Sequence, residues 1–225
     1  MRIVHAAGVD GARRALGVVV IIDVLRAFTV SAYALARGAR ECRLTTEVDE
    51  ALRLAAQIPG SLISAEVDGL PIAGIPISNS PTQITQTDLE GITLIQRTSA
   101  GTQCVGAAVE ADRVLAASLV VAAATARHVA ALGAGTVTLV ASRPDHAEDP
   151  ACAAYLEALL EGWHPDPARL LRPLRRTKRY RGLAAGETPG FPPTDLGLCL
   201  VADRFDFAMP VARDALGLRL TAAAT

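Results

Sequence analysis

Val18-Val19-Val20-Ile21-Ile22 is the segment that most restricts how this 225-residue chain can fold. Five consecutive apolar, β-branched side chains leave no polar face. The run therefore fits a strand covered on both sides, as in a parallel sheet with helices above and below, rather than a half-solvated antiparallel strand. Downstream, short β-rich runs alternate with alanine-rich amphipathic stretches. Strands are expected over 42–44, 62–65, 92–96, 113–116 and 136–141, and helices over 30–37, 47–57, 102–110, 121–132 and from Asp149-Pro150 toward Leu160. Gly38 stands where a helix C-terminal cap belongs, and Ser80-Pro81 is a helix-start pair. The alternation implies an α/β fold, three-layer α/β/α with a largely parallel central sheet. No linker divides the chain, so 1–225 reads as one domain with an irregular Arg/Pro-rich segment at about 163–192 and a last strand over 196–202.

Composition excludes several functions. Twenty-two basic residues against 23 acidic ones give a formal charge of −1, and aromatics are 4%. A general nucleic-acid field and a single-strand stacking platform are both disfavoured. No apolar run approaches the ~20 residues of a membrane span, and the chain reads as cytoplasmic. The four cysteines lack CxxC spacing and read as buried thiols. No GxxxxGK[ST] loop, GxSxG elbow or DxD pair is present.

In open α/β sheets ligands bind beyond the carboxyl ends of the strands. The residues that follow each expected strand are Asp23 and Arg26, then Glu66 and Asp68, then Arg97-Thr98-Ser99-Ala100-Gly101-Thr102, then Ser142, Arg143, Asp145, Glu148 and Asp149. The four scattered histidines, His5, His128, His146 and His164, read as structural, with His146 the nearest to this set. Carboxylates can hold a hard cation, an arginine fork can grip phosphate oxygens, and a hydroxyl- and glycine-rich turn can accept an anion. The candidate metal ligands are Asp23, Glu66, Glu148 and Asp149. The candidate phosphate contacts are Arg26, Asn79, Ser80, Thr98, Ser99, Gly101 and Thr102. Several have plainer readings: Asp149, Asn79, Ser80 and Thr102 are good helix caps. The cation run of Arg169, Arg172, Arg175, Arg176, Lys178, Arg179 and Arg181, mixed with leucines, reads as a subunit contact, so a homodimer is expected.

Several segments together are similar to those of one family. Val20-Ile21-Ile22-Asp23-Val24-Leu25-Arg26-Ala27 resembles the VIDVLRAT signature of the 2-phosphosulfolactate phosphatase family. Ser64-Ala65-Glu66, Gly74 to Ile77 with Ser78-Asn79-Ser80-Pro81, Arg97 to Thr102, Glu148-Asp149 with Cys152-Ala153, and Asp203 to Phe207 with Pro210 resemble its later elements in order. The resemblance implies a three-layer α/β/α fold and a Mg²⁺-dependent phosphatase. It also implies a small phosphorylated, sulfonated or carboxylated hydroxy acid as substrate, with Asp23 and Arg26 carrying the chemistry. Asp23 as nucleophile, general base or metal ligand remains open on sequence. Ser78, Ser99-Ala100 and Val121 depart from the family pattern. They motivate an alternative: a non-catalytic phosphometabolite-binding protein on the same fold. An interaction module built on the cation run is a third reading.

Overall fold

The computed structural model describes residues 1–225 throughout. Its strands are β1 (Arg2–Ala7), β2 (Val18–Ile22), β3 (Glu41–Thr45), β4 (Leu62–Val67), β5 (Leu70–Pro71), β6 (Thr93–Arg97), β7 (Arg113–Ala117), β8 (Thr136–Ala141), β9 (Phe207–Asp214), β10 (Gly217–Leu220) and β11 (Ala223–Ala224). Its helices are α1 (Gly8–Arg13), α2 (Ala27–Ala36), α3 (Val48–Gln57), α4 (Pro81–Thr85), α5 (Gly101–Ala107), α6 (Ala122–Ala131), α7 (Glu148–Leu160), α8 (Pro167–Leu174), α9 (Lys178–Ala184) and α10 (Thr194–Cys199).

All eleven strands form one sheet, ordered β1-β8-β2-β7-β9-β10-β3-β6-β4-β5, with β11 against β9. All five residues of β2 are buried, and β2 pairs in parallel with β7 and β8. Successive side chains of a strand point to opposite faces. Accordingly Val19 and Ile21 face α2, while Val18, Val20 and Ile22 share a core with α6 and α7. The expected three-layer α/β arrangement holds, with α3 covering the outer face of β4 and β6.

Two parallel blocks, β1-β8-β2-β7 and β3-β6-β4, are joined by the antiparallel hairpin β9-β10. Three antiparallel pairings lie between them, so the blocks run in opposite directions. In a flat sheet the carboxyl ends of β2 and β6 would sit on opposite edges. Right-handed twist of roughly 20–25° per step accumulates to on the order of 100° over the five steps from β2 to β6. The sheet curls around α2, nine of whose ten residues are buried. α2 closes on a Schellman motif: Gly38, at φ +86°, donates to the Leu35 carbonyl, and Ala39 donates to that of Ala34.

The final third departs from the sequence reading. Residues 196–202 are not a strand: Leu196 lies in α10, which follows Pro192-Pro193, and the last strands are β9 to β11. The leucines of the cation run turn inward. Leu171, Leu174 and Leu183 are buried with α7 and α10, so the apolar half of the expected subunit contact is used within the chain. No helix is long and apolar enough to cross a membrane.

Candidate active site

The curl brings the two blocks together at Asp23. Gly101, at the start of α5 beyond β6, approaches it so closely that a Cβ there would lie 2.8 Å from Asp23 Oδ2 and 2.8 Å from the Ala27 Cβ. Asp23 directly follows β2. Its Oδ1 accepts from Ala27 N at 3.0 Å and its Oδ2 lies 3.1 Å from Ser142 Oγ. Ser142 Oγ is also 3.0 Å from Asp149 Oδ2. A hydroxyl has one proton to give, so the second of these contacts is a hydrogen bond only when its carboxyl is protonated and donates. The electrostatics agree. Burial pushes the Asp23 carboxyl up to about 6, with the charges of Glu66 and Glu148 adding to the rise. Burial, and then the charge of Asp23, hold Asp149 well above the usual carboxylate range.

Asp23 and Glu66 open onto one cavity of about 250 Å³ together with Arg26, Asp68, Asn79, Arg143, His146 and Arg179; Leu25, Leu183 and Phe191 supply apolar wall. Carboxylates and cations thus share a space the size of a small metabolite. Glu66 is held rigidly. Its Oε1 accepts from Ser99 N at 2.5 Å, and its Oε2 accepts from Gly69 N at 2.5 Å and from Ser99 Oγ at 3.2 Å. Asn79 Oδ1 accepts from Gln96 Nε2 at 3.4 Å; Gln96, fully buried on β6, also donates to the Ala27 carbonyl at 2.8 Å.

Arg26 is 4% exposed. Its Nη1 donates to Asp195 Oδ2 at 2.8 Å and to the Gly190 carbonyl at 2.9 Å, and its guanidinium carbon lies 4.6 Å over the Phe191 ring. Nε and Nη2 have no protein acceptor, so part of the fork remains free for a ligand. Asp195 is fully buried and also accepts from Ser80 Oγ at 2.8 Å and Thr82 N at 2.9 Å.

The other expected residues lie behind this wall. Ser80 caps α4, accepting from Gln83 N, and turns its hydroxyl to Asp195. Thr98 and Thr102 bind each other: Thr102 N donates to Thr98 Oγ1 at 3.1 Å and Thr98 N to Thr102 Oγ1 at 2.9 Å. Asp149 is not the N-cap of α7, a position held by Ala147; it accepts instead from Val24 N at 2.8 Å and Arg143 N at 3.0 Å. Glu148 pairs with Arg179 at 3.2 Å. Two of the four expected metal ligands, Asp23 and Glu66, therefore line the cavity, and two brace it.

No three His, Cys, Asp or Glu side chains converge as a closed metal cage. The carboxylate pair that lines the cavity, Asp23 with Glu66, could hold a hard cation only if waters and substrate oxygens completed the shell. It does not suit a structural zinc site.

Residues 6–181 match the family model described as 2-phosphosulpholactate phosphatase. The chain belongs to the 2-phosphosulpholactate phosphatase family. It is 31% identical over 203 residues to a probable 2-phosphosulfolactate phosphatase of Bacillus subtilis (strain 168), with 87% of each chain covered. It is 34% identical over 167 residues to one of Deinococcus radiodurans, covering 71% of this chain and 70% of that one. It is 35% identical over 144 residues to one of Carboxydothermus hydrogenoformans, covering 63% and 60%. Membership places the chain among the phosphoric monoester hydrolases. The family match ends at residue 181, yet the cavity continues into Leu183, Thr188 and Phe191, and Arg26 is held by Asp195. Asp195, Phe191 and Gln96 are the site residues that sequence reasoning missed. The one available signal was Pro192-Pro193-Thr194-Asp195, a helix start with an acid in its first turn.

Proposed function

We propose that the protein is a Mg²⁺-dependent phosphatase acting on the phosphomonoester of a small hydroxy acid that carries a further anionic group. The observation that carries this reading is the single cavity in which Asp23 and Glu66 stand with Arg26, whose orientation Asp195 fixes. Asp23 and Glu66 would hold the cation. When bound, it offsets phosphate charge and polarises the attacking or leaving oxygen.

The chain's own residues do the rest. Arg26 directs Nε and Nη2 at the phosphoryl oxygens and keeps its charge at any working pH. Asp23, deprotonated above about 6, serves as a ligand rather than as a nucleophile; its two oxygens already take hydrogen bonds from Ala27 N and Ser142. His146, lowered by burial and by Arg179, is neutral at pH 7 and able to exchange a proton at the cavity wall. Arg143 and Arg179, both on that wall, supply positive charge for the second anionic group. A volume near 250 Å³ limits the ester to a few carbons.

The relatives' printed name makes 2-phosphosulfolactate the first ester to assay. Phosphate release from a panel of phosphorylated hydroxy acids, with Mg²⁺ and with EDTA, tests the reading. Turnover that survives EDTA removes the metal. Binding without turnover on any ester favours the non-catalytic reading. A homodimer belongs to the same proposal; a monomeric mass by light scattering at micromolar concentration overturns it.

A further inference from the structure

Six cations of the 163–192 segment play no part in the chemistry above: Arg169, Arg172, Arg175, Arg176, Lys178 and Arg181. All six are exposed. None has a carboxylate partner within 4.0 Å, in contrast to Arg179, which pairs with Glu148. Because Leu171, Leu174 and Leu183 are buried, α8 and α9 turn their apolar side inward and their charge outward.

This face contrasts with the rest of the molecule. Taking these six from the chain's 22 cations leaves 16 against 23 carboxylates, so the remainder carries a formal −7 that repels a multiply charged anion. The basic face adjoins the cavity. α9 places Arg179 and Leu183 in its wall, and Lys178 and Arg181 flank Arg179 within one helical turn. Leu174 and Thr177, next to Arg175 and Arg176, line a small cleft together with Leu25 and Glu148. One turn rises about 5.4 Å, inside the ~8 Å over which exposed charges act at physiological ionic strength.

We propose that the outward face of α8 and α9 is an electrostatic approach surface that draws the phosphorylated anion to the cavity mouth. It rests on the phosphatase reading for the identity of that anion. It assigns these residues an effect on encounter and none on the chemical step. A field of this kind raises association rates by 10-fold or more and collapses with salt.

The test compares the parent with Arg175→Gln/Arg176→Gln/Lys178→Gln, and with Arg53→Gln as a remote control, between roughly 0.02 and 0.5 M salt. In the parent, kcat/KM falls steeply as salt rises. In the triple variant kcat/KM is about 3- to 10-fold lower at low salt and its salt dependence is flattened, while kcat and Tm are unchanged. The control matches the parent. A salt-independent parent, or a triple variant with the parent's slope, overturns the proposal. So does retention of an oligonucleotide that the triple variant loses while keeping the parent's kcat/KM; that result would make the face a nucleic-acid contact. If no ester is turned over, the phosphatase reading fails. Calorimetry with inorganic phosphate then reads the same field: a weaker, less salt-dependent Kd in the triple variant supports the approach surface, and an equal Kd overturns it.

Discussion

Arg26 shows at residue scale why a site residue has to be judged by its partners. The sequence offers Arg26 as a phosphate fork; the structure gives it both an ion pair with Asp195 and free donors. Arg26→Lys keeps a charge near Asp195 but loses the planar fork. Turnover should fall roughly 10²-fold or more with only a small change in Tm. Arg26→Ala strands the fully buried Asp195 and should cost about 3–5 kcal/mol in denaturant unfolding. An Arg26→Lys enzyme with near-parental kcat removes Arg26 from phosphate binding. Asp23 yields a pH prediction. Its carboxyl titrates near 6 when folded against 3.8 when unfolded. Its contribution to stability is therefore fully present below 3.8 and is lost as pH rises through 6. Metal-free protein should melt at higher temperature at pH 5 than at pH 8. Asp23→Asn should raise stability at pH 8 by on the order of 1–3 kcal/mol while abolishing turnover. An unchanged Tm at pH 8 would show that burial does not strain the ionised carboxylate.

At the scale of elements, legibility followed the strength of the local pattern. β2 was plain because five apolar residues in a row permit little else, and Ser80-Pro81 does start α4. The turn at 98–102 was legible as a turn but not in its detail. Its hydroxyls close on each other and its Ser99 N–H closes on Glu66, so it braces a carboxylate. Gly101 is glycine because α5 must begin against Asp23, a contact between residues 78 positions apart that no local window contains. Gly101→Ala should therefore cost about 1–3 kcal/mol by crowding Asp23 and Ala27, with a larger proportional loss of kcat than Gly106→Ala, where the nearest atom is the Thr46 methyl. Equal activity losses in the two variants would deny Gly101 a part in placing Asp23. α10 was misread because Leu196 to Ala202 has strand-like apolarity; its role depends on Asp195, whose partners Arg26 and Ser80 lie 169 and 115 residues away.

The whole molecule is organised by its last strands. Sequence alternation implied one largely parallel sheet, but it could not reveal that β9 and β10 enter the middle and reverse one block against the other. Pro210 concealed β9, since proline is scarce in inner strands. Pro210 pairs with Leu115 on β7 and its carbonyl still accepts from Thr221 N at 3.4 Å, so the strand gives up one donor there and keeps its place in the sheet. The join is also polar: Arg43 on β3, 5% exposed, pairs with Glu41 at 2.9 Å and reaches Asp214 on β9 at 2.6 Å. Met209 and Leu220, both fully buried, continue the core around α2 across the join. Removing residues 205–225 would uncover the facing edges of β7 and β3, open that core and release the curl that brings Gly101 to Asp23. The truncated chain should lose cooperative thermal unfolding and all turnover. Met209→Ala, a milder probe of the same join, should destabilise by about 2–5 kcal/mol while leaving kcat of the folded fraction near the parent's, because Met209 touches no cavity residue's hydrogen bonds. A chain ending at residue 204 that still unfolds cooperatively would mean that the two blocks associate without the hairpin, and that α2 rather than β9 and β10 sets the curl.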